Sequence, residues 1–218
     1  MSDDPKIEFS RRGFLKGAGI TAASTVIDTA SALARDAKDT LHVPKMLGPE
    51  ALPIKLHING GEHAVTVEPR YTLVQTLRDN LGLTGTKLVC DRGSCSACTV
   101  WIDKVPALAC MTLAVDAVGR EITTIEGLSH GSEMHPVQAA FIKHDAMQCG
   151  FCTPGMVMSC VALLERNPNP TLADVKHAVS GNLCRCGTYP NIFTATLDAA
   201  QQKLQATRLV ALKTGTEA

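Results

Sequence analysis

From residue 54 onward, apolar and polar residues alternate. Ile54, Leu56 and Ile58 stand two apart, the spacing of a strand with one buried face. Asn59-Gly60-Gly61 signals a tight turn, and residues 63–67 predict the returning strand. Between residues 72 and 80 the period lengthens, and Leu73, Val74 and Leu77 fall at helical spacing. Residues 99–102 and 121–125 predict further strands. A small mixed sheet with one helix packed across it fits this order.

Beyond residue 135 the pattern turns helical. Residues 136–146 carry Val137, Phe141 and Ile142 on one side. Thr153-Pro154 offers a capping hydroxyl and a proline at the first helical position. That helix runs through Met156, Val157, Cys160 and Leu164 to Asn167-Pro168. Thr171-Leu172-Ala173-Asp174 resembles a capping box, and Gly181 ends the helix it starts. From Asn191 a fourth helix carries Phe193, Leu197 and Leu204. Four short antiparallel helices result. The expected class is α+β, with a strand-rich domain at 54–130, a helical domain at 131–205 and a tail at 206–218.

The N-terminal pattern is different again. Arg11, Arg12 and Lys16 precede eleven uncharged residues, 17–27, too few to span a bilayer. Ala32-Leu33-Ala34 then gives a small-x-small cleavage pattern, although Asp28 interrupts the approach to it. Ser10-Arg11-Arg12-Gly13-Phe14-Leu15-Lys16 resembles the twin-arginine export motif of bacteria. That resemblance implies a signal peptide at 1–34 and export to the periplasm in the folded state. The alternative is a tail that merely contains two arginines. Residues 35–53, with Pro44, Gly48, Pro49 and Pro53, read as a linker or extended arm.

Charge narrows the partners. Lys plus Arg and Asp plus Glu both number 21, with no block of one sign, so nothing attracts nucleic acid or anionic lipid. No nucleic-acid partner and no stable membrane span are expected. Aromatic residues make up only 4 %, with one Trp, which argues against a base-stacking platform.

The candidate chemistry lies in nine cysteines, at 90, 95, 98, 110, 149, 152, 160, 184 and 186. An odd number in an exported chain argues against a plain disulfide framework. Cys90-x4-Cys95-x2-Cys98, with Cys110 after eleven intervening residues, matches the plant-type [2Fe–2S] spacing. Two bridged irons need two thiolates each, in a loop with little side-chain bulk and many free N–H groups. Gly93, Ser94, Ser96 and Ala97 supply it. A four-residue gap beside a two-residue gap is unlike the paired C-x2-C zinc pattern, yet a zinc site remains the alternative. The second set is Cys149-x2-Cys152 and Cys184-x-Cys186. Alone, C-x2-C also suits a redox dithiol or half a zinc site. Both pairs lie beside helix ends, which together would make a four-thiolate cup, and a helix N-terminus favours bound thiolates. Cys160, inside an apolar helix, reads as a small buried hydrophobe. The seven histidines read as ordinary polar residues: His135 at a helix start, His144 and His177 on helix surfaces.

The stretches NLGLTGTKLVCDRGSCSACTV, ACMTLAV, ITTIEGL, HPVQAAFIKHDAMQCGFCTPGMVMS and GNLCRCGTYPNI resemble the [2Fe–2S] subunit of the xanthine oxidase family of molybdenum hydroxylases. The N-terminal motif makes the resemblance closest to the small subunits of periplasmic aldehyde oxidoreductases. The resemblance implies a ferredoxin-like β-grasp domain binding an outer cluster through Cys90, Cys95, Cys98 and Cys110. It implies a helical domain binding an inner cluster through Cys149, Cys152, Cys184 and Cys186. Gln148 and Cys186 would touch the pterin of a molybdopterin cofactor held, with the active site, by a large partner subunit. A medium subunit would bind FAD, making a heterotrimer in which this chain passes electrons from molybdenum to the acceptor during aldehyde oxidation. Small subunits of N-heterocycle hydroxylases, of isoquinoline or nicotinate type, and a free-standing ferredoxin-like carrier are the alternatives. The chain departs from the family at Val89, Ser94 and Ser96, where glycine is common.

Overall fold

A computed structural model describes residues 47–129, 131 and 133–214, with side chains as far as residue 205. The expected signal peptide at 1–34, the arm up to residue 46 and the last four residues of the tail lie outside the described residues.

Strands β1 (Leu52–Ile58) and β2 (Gly61–Val67) form an antiparallel hairpin, with Ile54 opposite Val65 and Ile58 opposite Gly61. Its turn has positive φ at both central residues, 52° at Asn59 and 81° at Gly60, the twist that lets two right-handed strands pair closely. β3 (Thr99–Ile102) and β4 (Val105–Leu108) form a second hairpin, turning through Asp103 and Lys104 at φ 51° and 65°. β5 (Glu121–Thr123) lies between the hairpins, parallel to β1 and antiparallel to β3, giving the order β2-β1-β5-β3-β4.

β4 is not among the strands the pattern predicts. Its turn lacks the usual Asn-Gly signal, and Pro106 removes a ladder donor; the sheet tolerates this because β4 is an edge. The strand expected over 121–125 stops at Thr123, and a 3₁₀ turn, Ile125–Leu128, follows. The helix expected over 72–80 is α1 (Leu73–Gln75) continued by a π-helical turn, Thr76–Asn80. Thr72 and Gln75 cap it reciprocally. Leu73, Val74 and Leu77 are fully buried against Leu56, Ile58, Val100 and Ile122, a helix laid across the sheet as the β-grasp reading expects.

The second core is helical. It comprises α2 (Pro136–Lys143), α3 (Thr153–Arg166), α4 (Leu172–Ala178) and α5 (Tyr189–Thr214). α3 is central, buried without interruption from Gly155 to Leu164. His135 starts α2, its Nδ1 accepting from the Val137 N–H at 3.2 Å. Thr171 and Asp174 close a capping box on α4. Thr153 does not cap α3 as expected. The helix begins one residue earlier, so Cys152 occupies the cap position and the Thr153 hydroxyl is buried without a partner.

The two cores meet at close range. Trp101 on β3 packs into the helical core and its Nε1 donates to the Met158 carbonyl of α3 at 3.1 Å. Below it, α3 presses on the loop before β3. A Cβ on Gly155 would stand 2.2 Å from the Ser96 carbonyl oxygen and 3.0 Å from Ala97 backbone atoms, so only glycine fits. On the outer side, Asp198 of α5 accepts from Lys143 Nζ and His144 Nε2, both at 2.7 Å, joining α2 to α5.

Two expectations follow. Gly155→Ala would gain roughly 1 kcal/mol at an ordinary helix position, but here the backbone clash dominates. It should lower the unfolding free energy by about 1–3 kcal/mol, read from the denaturation midpoint of the apoprotein. The Asp198 carboxyl is held down at about 2, by the Lys143 hydrogen bond first and that of His144 second. A depressed folded value contributes stability that is complete above the usual value near 3.8 and disappears as pH falls through about 2. Asp198→Asn should therefore destabilise the apoprotein by about 1 kcal/mol at pH 7, and the difference should vanish near pH 2 in acid titrations.

Candidate metal centres

The β3–β4 hairpin closes the first cysteine set. Cys98 immediately precedes β3, Cys110 follows β4 by one residue, and the register puts Thr99 opposite Leu108. Ala109 N–H donates to the Cys98 carbonyl at 3.2 Å, completing the join. The pairing thus brings together cysteines separated by eleven intervening residues. Cys90 and Cys95 come from the loop before β3, which bends through positive φ at Asp91 (51°), Gly93 (73°) and Ser96 (55°). Ser96 takes a conformation that costs an L residue roughly 1–2 kcal/mol. The bends aim amides inward, as the small-residue argument requires, and the Ser94 N–H donates to Cys90 Sγ at 3.3 Å.

The second set is made by helix ends. Cys149 and Cys152 lie just before α3, and Cys184 and Cys186 lie in the turn before α5. The Cys186 and Cys149 thiols hydrogen-bond, as do those of Cys152 and Cys184. Thr188 Oγ1 sits 3.3 Å from Cys184 Sγ. The thiols of Cys90, Cys95, Cys98 and Cys110 interact with one another, as do those of Cys149, Cys152, Cys184 and Cys186, and all nine cysteines are free thiols.

Electrostatics splits each group. In the first, the Arg92 N–H chiefly brings Cys90 down to about 7, while burial pushes Cys98 up to about 12. In the second, burial pushes Cys152 up to about 12. Burial also raises Cys184, but hydrogen bonds from Thr188, Cys152 and Gly187 outweigh it and leave this thiol at about 7. Such sites favour ligands whose cation displaces the remaining protons. Among the described residues, no three His, Cys, Asp or Glu side chains converge on a point for a single ion. A diiron core asks for no such point, since each iron takes two protein thiolates and shares the sulfides. The two groups of four fit it.

Cys160 stands apart. It is fully buried and accepts from Thr196 Oγ1 at 3.2 Å, and burial pushes it up to about 12. Gln148 is exposed beside Cys149, and Cys186 is exposed as well, so the predicted pterin contacts share an outward-facing corner of the second group.

The sets are linked. Leu183 N–H donates to the Cys95 carbonyl at 3.0 Å, and Asn182 Nδ2 reaches the Ser96 carbonyl at 3.4 Å. Between the groups lies a cleft of about 400 Å³ whose walls include Cys90, Cys95, Cys152, Cys184 and Arg185. Asn182, Leu183, Gly155 and Tyr189, which build this junction, have no periodicity or motif spacing that announces the role. Only the inclusion of Asn182, Leu183 and Tyr189 in GNLCRCGTYPNI, and of Gly155 in HPVQAAFIKHDAMQCGFCTPGMVMS, hints at it.

Comparison with known proteins agrees with this arrangement. Residues 56–115 match the 2Fe-2S iron-sulfur cluster binding domain family, and residues 124–197 match the [2Fe-2S] binding domain family. The chain is 43 % identical to the aldehyde oxidoreductase iron-sulfur-binding subunit of Escherichia coli (strain K12) over 210 residues, covering 89 % of each. It is 47 % identical to the nicotine 6-hydroxylase small subunit of Paenarthrobacter nicotinovorans, over 70 % of this chain and 92 % of that one. Among solved structures it resembles quinoline 2-oxidoreductase from Pseudomonas putida 86, with a TM-score of 0.68 and 44 % identity, over 70 % of this chain and 95 % of that one. The aldehyde oxidoreductase of Desulfovibrio gigas matches with a TM-score of 0.64 and 39 % identity, over 68 % of this chain and 17 % of that one. With its two [2Fe–2S]-binding domains, the chain belongs to the xanthine oxidase family of molybdenum hydroxylases, as an electron-transferring iron–sulfur subunit.

Proposed function

We propose that this chain is the electron-transfer subunit of a periplasmic, molybdenum-dependent aldehyde oxidoreductase. In this reading, Cys90, Cys95, Cys98 and Cys110 hold one [2Fe–2S] cluster and Cys149, Cys152, Cys184 and Cys186 hold a second. The observation that carries it is the pair of four-thiol groups joined by the Leu183 N–H to Cys95 carbonyl bond. When bound, the clusters supply one-electron steps between a two-electron oxidation on a large molybdopterin subunit and an acceptor such as FAD on a medium subunit. The chain's own residues hold, space and shield. Burial of Cys95, Cys98, Cys110 and Cys184 limits water at the sulfurs. The Ser94 N–H stabilises added negative charge at Cys90. Gln148 and Cys186, both exposed, offer an amide and a sulfur to the pterin of the large subunit.

The aldehyde reading draws on the similarity that runs along 89 % of both chains and so extends into the segment before residue 47. The second reading is the small subunit of an N-heterocycle hydroxylase, favoured by the higher identity, 47 %, of the nicotine 6-hydroxylase subunit over a shorter span. Substrate oxidation by the purified complex decides between them. An aldehyde should be turned over and nicotinate or quinoline should not.

The complex isolated through this chain should contain about four iron and four acid-labile sulfide per copy of it and give two distinct [2Fe–2S] signals on reduction. Cys98→Ser should abolish one signal and Cys152→Ser the other, by electron paramagnetic resonance, each stopping turnover. Replacing Arg11 and Arg12 with Lys should leave an active complex in the cytoplasmic fraction.

A further inference from the structure

The turn that carries Cys184 and Cys186 is fixed by a side chain outside both cysteine groups. Tyr189, the first residue of α5, uses its hydroxyl twice. It accepts from the Cys184 N–H at 2.8 Å and donates to the Asn182 carbonyl at 2.9 Å. Asn182 and Leu183 are the residues that hold the Ser96 and Cys95 carbonyls. One hydroxyl therefore braces the whole segment between the groups. The ring is seated independently, tilted against Phe193 with centroids 6.3 Å apart.

Amides point at sulfur in both groups, but the Cys184 amide does not. At Cys90, the Ser94 N–H points at the sulfur. At Cys184, the residue's own N–H points at an oxygen, while the sulfur is met by the Thr188 hydroxyl and by the N–H groups of Thr188 and Gly187. An N–H directed at a cluster sulfur stabilises the reduced, more negative state and raises its potential. Withholding one keeps the potential lower.

We propose that Tyr189 is a positioning residue for the second cluster. Its hydroxyl holds the Cys184 amide away from sulfur and presses residues 182–184 against Cys95 and Ser96, and so sets that cluster's potential and its contact with the first. This rests on the two-cluster reading above.

Tyr189→Phe keeps the ring and removes both hydrogen bonds. In the whole complex, redox titration followed by electron paramagnetic resonance should show the second cluster's midpoint moving up and its line shape changing. The first cluster's midpoint should stay. Amide exchange in the peptide containing Leu183 and Cys184 should quicken. Loss of the second signal alone, with the first intact, also supports the proposal, because Cys184 has then lost its place. Unchanged spectra and midpoints overturn it. So does an equal shift, or loss, of both signals, since the hydroxyl would then act on the fold at large. A wild-type complex without two signals sinks the two-cluster reading itself, and this inference with it.

Discussion

The N-terminal end of α3 lies against the backbone of the loop before β3, with no side chain between them. Gly155 meets the Ser96 carbonyl at a distance that excludes even a methyl group. Around that contact, Leu183 holds Cys95, Asn182 holds Ser96, and Trp101 on β3 reaches Met158 on α3. Each cysteine group is rooted in its own hydrophobic core, one through Cys98 and Cys110 and the other through Cys152 and Cys184. Left to those cores alone, their separation would depend on a flexible join. Backbone-to-backbone contact removes that freedom, because peptide groups have no rotamers to relax through. Electron transfer falls steeply with distance, so a fixed spacing is the property a two-centre relay most needs.

Within each group the backbone does most of the shaping. The first is closed by strand register, which places Cys98 and Cys110 at the same end of a hairpin. The second is closed by two helix starts, those of α3 and α5, whose partial positive ends favour anionic sulfur. Ionisation follows position. Cys90 and Cys184 are drawn down by hydrogen bonds, whereas burial holds the protons on Cys98 and Cys152.

Much of this was legible beforehand. Period-two alternation located β1, β2 and β3, since each buries one face or lies within the sheet. Cysteine spacing separated the two groups, because short gaps confine sulfurs to one loop. β4 escaped notice because its turn residues, Asp103 and Lys104, adopt positive φ without glycine, and Pro106 breaks its pattern. Thr153 misled because Thr-Pro suits a helix start one residue away from the actual cap at Cys152. The junction residues were invisible for a deeper reason. Gly155 is glycine because of what approaches from 59 residues earlier in the chain, and no local pattern encodes a distant carbonyl.

The ninth cysteine has a consequence for handling this protein. Burial pushes the Cys160 thiol up to about 12, so it keeps its proton at neutral pH. It also touches no solvent. The odd sulfur is thereby withdrawn from exchange, and once iron occupies the other eight, the described residues present no free thiol for a thiol-directed alkylating reagent to attack. Reactivity toward such a reagent in a purified sample is therefore a direct gauge of how many sulfurs lack their metal.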